Sequence, residues 1–232
     1  MSIKIAGLQK LTLLDFPGRV ACTVFLAGCN LRCPFCHNAS LVLPRGNTDH
    51  MEASTFFSFL KKRQGILDGV CVTGGEPLLY PSIPDFLAEI RAMGYLVKLD
   101  TNGTLPDRLE PILTAHSVDY VAMDIKHSLP RYYAAVGTKI DTASIEKSIE
   151  LIKNSGIDHE FRTTVVKGIH TEADVAEMAR LVGDEPYFLQ GFIDSGDLID
   201  PTALSAFTSA EMQSLRAAAL PHAPRCTVRG VD

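Results

Sequence analysis

No stretch of the 232 residues reaches the roughly 18 uninterrupted apolar positions that a membrane span needs. Positive charge is not in excess either. Lys and Arg number 22 against 27 Asp and Glu, a formal net charge of −5. That balance removes the electrostatic ground for binding nucleic acid or an anionic membrane surface. The N-terminal Met1-Ser2-Ile3-Lys4 leads into mixed sequence rather than a signal-like apolar core, so a soluble, cytoplasmic protein is expected. Six cysteines are too sparse for a disulfide-built secreted domain of this length. There is no internal repeat, low-complexity tract or linker, so residues 1–232 are expected to form one domain. A hydrophobic fraction of 46% supplies ample core.

What is present is a regular alternation. Residues 1–19 read as a lead-in, turn-rich over 7–19 and packed against the first strand. Residues 20–26 are an almost wholly apolar run, as in a strand buried on both faces. Helical stretches over 51–63, 83–93, 106–115, 142–155 and 172–182 each precede a strand, over 69–73, 95–100, 118–125, 157–166 and 187–192. A last helix over 209–220 precedes a short run over 226–231. Alternation of this kind implies an α/β fold with parallel strands and right-handed crossovers. Six βα units fall short of the eight of a closed barrel, so the expected architecture is a partial, open (βα)6 barrel. Its βα core would span 20–193, with a C-terminal helix and short strand over 194–232.

In such folds chemistry collects at the carboxyl ends of the strands. Unusual polar residues do follow strands here. Cys29, Cys33 and Cys36 follow the first, and Thr73-Gly74-Gly75-Glu76-Pro77 the second. Asp100-Thr101-Asn102-Gly103 ends the third, and Asp124-Ile125-Lys126 the fourth. Arg162 and Thr163 lie in the fifth strand and Gln190 in the sixth, so one rim should carry them all.

Cys29, Cys33 and Cys36 sit within eight residues, while Cys22, Cys71 and Cys226 are scattered. Clustered cysteines in a reducing compartment read as metal ligands, and scattered ones as small buried hydrophobes. Three thiolates in one loop can hold three irons of an iron–sulfur cube and leave the fourth open to substrate. A structural zinc site is the alternative, but it usually needs four Cys or His ligands. His37, adjacent to Cys36, is poorly placed to be the fourth.

Cys29-Asn-Leu-Arg-Cys33-Pro-Phe-Cys36 resembles the signature of the radical S-adenosylmethionine (SAM) superfamily. Within it, the chain is similar to the activating proteins of anaerobic ribonucleotide reductase, and more distantly to pyruvate formate-lyase activating enzyme. The likeness runs through Leu13-Leu14-Asp15-Phe16-Pro17-Gly18, Cys36-His37-Asn38, Thr73 to Pro77, Leu99 to Gly103, Met123 to Lys126 and Phe161-Arg162-Thr163-Thr164. It implies a [4Fe–4S] cluster on the three cysteines and SAM bound through its methionine amino and carboxylate groups.

The other residues then acquire roles. Gly74 and Gly75 would let the backbone approach the methionine moiety, and Glu76 would accept from its ammonium; a plain strand-ending turn is the alternative for this segment. Phe35 would lie against the adenine, or simply pack its loop. Two converging carboxylates are costly unless protonated, bonded or bridging a cation. The resemblance implies a monovalent cation at Asp100 and Asp124, with Thr101 contributing; helix capping is their alternative. Lys126 and Arg162 are candidate partners of carboxylates or of substrate, and Gln190 a candidate adenosine contact. The SAM-contacting histidine of pyruvate formate-lyase activating enzyme has no counterpart near Gln190.

The implied reaction is reductive cleavage of SAM to a 5′-deoxyadenosyl radical, which takes hydrogen from a glycine of a partner such as anaerobic ribonucleotide reductase. A low-potential electron donor would feed the cluster. Two alternatives remain: a radical SAM enzyme acting on a small molecule or another peptide, and a non-catalytic iron–sulfur electron carrier. The carrier calls for a fourth cluster ligand, which no nearby cysteine supplies.

Overall fold

A computed structural model describes residues 3–43, 50–194 and 196–230. The backbone forms an eight-stranded sheet in simple sequential order. Its strands are β1 (Ile5–Thr12), β2 (Ala21–Leu26), β3 (Gly69–Gly74), β4 (Leu96–Thr101), β5 (Tyr120–Asp124), β6 (Asp158–Val165), β7 (Tyr187–Gly191) and β8 (Cys226–Arg229). β1 runs antiparallel to β2, and every later neighbour pair is parallel. β1 and β8 are therefore the two edges of an open sheet. Single-domain α/β architecture with a mostly parallel, partial barrel is what the alternation predicts.

Two differences stand out. The lead-in expected to be turns is half strand: β1 spans Ile5–Thr12 before the turns begin. Its middle residues, Gly7 to Leu11, are partly or fully exposed, so an edge strand with one covered side leaves no continuous apolar run to detect. The C-terminal run joins the sheet as β8, parallel to β7; Val231, expected to end it, lies outside the described residues.

The helices are α1 (Ala39–Val42), α2 (Ala53–Lys61), α3 (Ile83–Ala92), α4 (Pro106–Thr114), α5 (Tyr132–Val136), α6 (Ala143–Lys153), α7 (Glu172–Val182) and α8 (Ser209–Ala219). Each longer helix buries one stripe; on α6 it is Ile145, Ser148, Ile149 and Ile152, spaced three and four apart. α2 starts later than expected because Met51 instead bridges to Ile5. Short α5, between β5 and α6, has no counterpart among the expected helices. α7 and α8 open on reciprocal capping boxes, Thr171 with Asp174 and Thr208 with Glu211.

Strand residues alternate between two faces. One face, with Val97, Leu99, Val121, Met123, Phe161 and Leu189, joins the helices in a continuous apolar core. The other carries Thr23, Lys98, Asp100, Asp124, Glu160 and Arg162, linked by hydrogen bonds and ion pairs. A loop plugs this inner face from below. Thr23 Oγ1 donates to Asp15 Oδ2, and Phe16 packs on the Tyr120 ring at 6.1 Å. No helix among the described residues is long and apolar enough to cross a membrane.

Candidate active site at the strand carboxyl ends

The chain leaves β2 at Leu26 and turns at once into the cysteine loop. Three neighbours fix that loop. Glu76 N donates to Gly28 O at 2.8 Å, and Arg32 N donates to Val136 O of α5 at 2.8 Å. From the segment after β7, Asp200 N donates to Pro34 O at 3.0 Å. Cys29, Cys33 and Cys36 are free thiols on one cleft of about 360 Å³, within the size range of small-ligand sites. Burial pushes the Cys33 thiol up to about 12 and raises Cys29 as well. Cys22, Cys71 and Cys226 are buried apart from the triad.

The glycines of the β3 loop have an immediate steric reason. Gly74 has φ +124°, and a Cβ there would meet Leu26 N at 2.3 Å. A Cβ on Gly75 would meet Gly28 O at 1.8 Å. The two loops are in backbone contact, so neither position admits a side chain. Close approach thus serves the cysteine loop whatever else it serves.

Glu76 does not line the cleft. Its carboxylate is buried beneath the rim, with Oε1 accepting from Leu78 N and Thr101 Oγ1 at 3.1 and 3.0 Å. Oε2 accepts from Asn102 N at 2.7 Å. Burial raises this carboxyl to about 7 against those donors. The side chain ties the β3 loop to the end of β4.

Asp100 and Asp124 do line the cleft together, with Thr101 beside them. The group between the two carboxylates is the Arg162 guanidinium: Nε donates to Asp124 Oδ1 at 2.9 Å, and Nη2 to Asp100 Oδ2 at 3.2 Å. Lys126 Nζ adds a bond to Asp124 at 3.1 Å, and buried Lys98 pairs with Asp100. Burial alone would raise both carboxyls; Arg162 and the two lysines outweigh it and hold them below the ordinary range. Charge balance therefore does not require the monovalent cation expected at this point, because the chain supplies its own.

Phe35 is buried on the cleft wall, edge-on to His170 at 6.1 Å. Gln190 reaches the same cleft from β7. His37 stacks on Phe192 at 5.6 Å, which joins the cysteine loop to the end of β7. Sequence reasoning gives no role to Asn102, whose Nδ2 lies 3.7 Å from Cys29 Sγ. It also passes over Asp15 and Thr164 as cleft residues. The segment Asp100 to Gly103 draws attention to its carboxylate, not its amide.

This donor set, three free thiols lining one cleft, fits an iron–sulfur cube. Three thiols on one wall, with Leu31 N donating to Cys29 Sγ at 3.4 Å, suit ligands that each hold a separate iron.

The sequence profile of the Radical SAM superfamily matches residues 23–182. A protein of Methanocaldococcus jannaschii, provisionally named a glycyl-radical enzyme activating enzyme, is 32% identical over 200 residues, 83% of this chain and 81% of its own length. Pyruvate formate-lyase-activating enzyme of Clostridium pasteurianum is 26% identical over 185 residues, covering 77% of this chain and 76% of its own. Among solved structures, Streptococcus suis SuiB bound to precursor peptide SuiA superposes with a TM-score of 0.69 at 15% identity. That match covers 88% of this chain and 47% of SuiB, and is a likeness of fold.

Proposed function

Because the chain belongs to the radical SAM superfamily, we propose that it generates a glycyl radical on a partner enzyme, anaerobic ribonucleotide reductase being the first candidate. The observation that carries this reading is the 32% identity to the Methanocaldococcus protein over most of both chains. Cys29, Cys33 and Cys36 would hold a [4Fe–4S] cluster, which when bound and reduced would supply the electron for reductive cleavage of SAM.

The remaining steps belong to this chain's residues. Phe35 and Gln190 form walls of the cleft against which the adenosine is held. Lys126 and Arg162 turn positive charge toward the cleft, where a carboxylate of the methionine moiety is oriented. Asp124 keeps Lys126 in place and, together with Asp100, Arg162; the two carboxylates would offer acceptors to the methionine ammonium, with Thr101 beside them on the cleft. Glu76 acts beneath them, holding the β3 and β4 ends together. The free cysteines suit a reducing, cytoplasmic setting with a low-potential electron donor.

The test is anaerobic mixing of the reconstituted protein with SAM, a reductant and the reductase. We expect the doublet of a glycyl radical by electron paramagnetic resonance (EPR), formed with wild type and absent with Cys36→Ala. Deoxyadenosine without any protein radical, but with consumption of an added small molecule, would overturn the proposal in favour of a small-molecule enzyme.

A further inference from the structure

Asn102 sits one residue past β4 and is 6% exposed. Its side-chain orientation is dictated by its neighbours. Thr104 N, which can only donate, reaches Asn102 Oδ1 at 3.0 Å, and Thr104 Oγ1 donates to the same oxygen at 2.6 Å. The oxygen must face Thr104, so Nδ2 must face the other way. There it donates to Asn30 Oδ1 at 3.0 Å and points at Cys29 Sγ at 3.7 Å. Asn30 Nδ2 closes the ring by donating to Thr104 Oγ1 at 2.7 Å. From below, Glu76 Oε2 takes the Asn102 backbone N–H at 2.7 Å. An amide held at both ends in this way has little freedom to leave the sulfur.

With Leu31 N at 3.4 Å, Cys29 Sγ thus has two N–H donors directed at it. Hydrogen bonds to cluster sulfurs favour the more negatively charged, reduced form and so raise the reduction potential.

We propose that Asn102 is a positioning residue that tunes the iron–sulfur cluster, its Nδ2–H donating to the Cys29 sulfur and making the cluster easier to reduce. The proposal rests on the radical SAM reading of the cysteine triad. It also gives Glu76 a second role, since its grip on the Asn102 backbone aims this amide from the opposite loop.

Potentiometric EPR titration of anaerobically reconstituted protein tests it. Asn102→Ala should keep its iron and sulfide content while its midpoint potential shifts to more negative values. Thr104→Val, which removes one of the two donors locking the amide, should shift it less in the same direction. An Asn102→Ala protein with a full cluster and the wild-type potential would overturn the proposal; a merely structural asparagine would leave the potential where it was. If Asn102→Ala cannot hold a cluster, the wild type decides. With asparagine labelled at the side-chain nitrogen with ¹⁵N, pulsed EPR of the reduced cluster should show a coupled ¹⁵N, and its absence would overturn the assignment. Failure of the wild type to assemble any [4Fe–4S] cluster is a different result, which would bring down the radical SAM reading itself.

Discussion

Phe161 and Arg162 are neighbours in β6 and live in different solvents. Phe161 is fully buried on the helix-covered face, in a core of aliphatic and aromatic side chains. Arg162 is nearly as inaccessible, with its side chain 14% exposed, yet it touches Asp100, Asp124 and Glu160. One face is held by area removed from water, which is non-directional and tolerates substitution. The other is held by ion pairs whose value depends on every partner being present. The molecule thus keeps its stability on one side of the sheet and its chemistry on the other. Changes on the two faces should fail in different ways.

The sharpest way to break this contrast is Arg162→Ala. It leaves Asp100 and Asp124 with one lysine each, and loss of one partner from a buried ionic cluster typically costs about 3–5 kcal/mol. Chemical denaturation should show that loss, and SAM binding by the folded fraction should fall with it. Replacing Lys98, Asp100, Asp124, Lys126 and Arg162 together by apolar residues of similar size, which leaves Glu160 its partner Arg229, should recover most of the stability and none of the binding. Recovery of both would refute the division of labour. Acid sharpens the same point. Both aspartates lie below their ordinary value of 3.8 in the fold, so their pairing stabilises fully above that value and is lost as pH falls through the folded-state values. The denaturation midpoint of the wild type should begin to drop as pH falls below about 5 and keep dropping through the folded-state values below 3.8. In Arg162→Ala, where the carboxyls are buried without their main partner, the drop should be smaller or reversed.

On the opposite face, Leu99→Ala should cost about 2–5 kcal/mol through lost burial and a residual cavity. Leu99 is fully buried, one residue before Asp100. Cluster content and SAM affinity of the folded protein should be unchanged. A selective loss of SAM affinity without loss of stability would show that the two faces are mechanically coupled.

These faces are not equally legible. The helix-covered face announces itself through periodicity: buried stripes and apolar runs place nearly every helix and strand to within a few residues. The cysteine triad is legible because all three ligands lie on one short loop. The inner face is assembled from residues 38 to 62 positions apart, as in the bonds from Arg162 to Asp124 and Asp100. Sequence can nominate Asp100, Asp124 and Arg162 by their place at strand ends. It cannot say that the Arg162 guanidinium bridges the two carboxylates. Asn102 carries no charge, and only its distance to Cys29 across the loops marks it. Edge strand β1 is hidden for the converse reason, since six of its eight residues are partly or wholly exposed and the apolar signal thins out.

Gly75→Ala tests the seam between the cysteine loop and the β3 loop. The added methyl would overlap Gly28 O, a backbone atom that cannot simply rotate away. Overpacking of this kind costs about 1–3 kcal/mol. The effect on the site should exceed the effect on the fold, with iron incorporation falling more steeply than the thermal midpoint. Equal losses would mean that the seam is ordinary packing.

The smallest expected effect lies far from the rim. Thr208 caps α8 by accepting from Glu211 N at 3.3 Å, while Glu211 returns a carboxylate to Thr208 N at 2.8 Å. Thr208→Ala should cost about 1 kcal/mol. α8 packs on β7 and β8, the edge of the sheet that carries Gln190. If that edge is only scaffold, the variant loses a few degrees of melting temperature and retains SAM affinity. If weakening α8 also weakens SAM binding, the positioning of Gln190 depends on a helix outside the cleft, and the line between the two faces must be redrawn there.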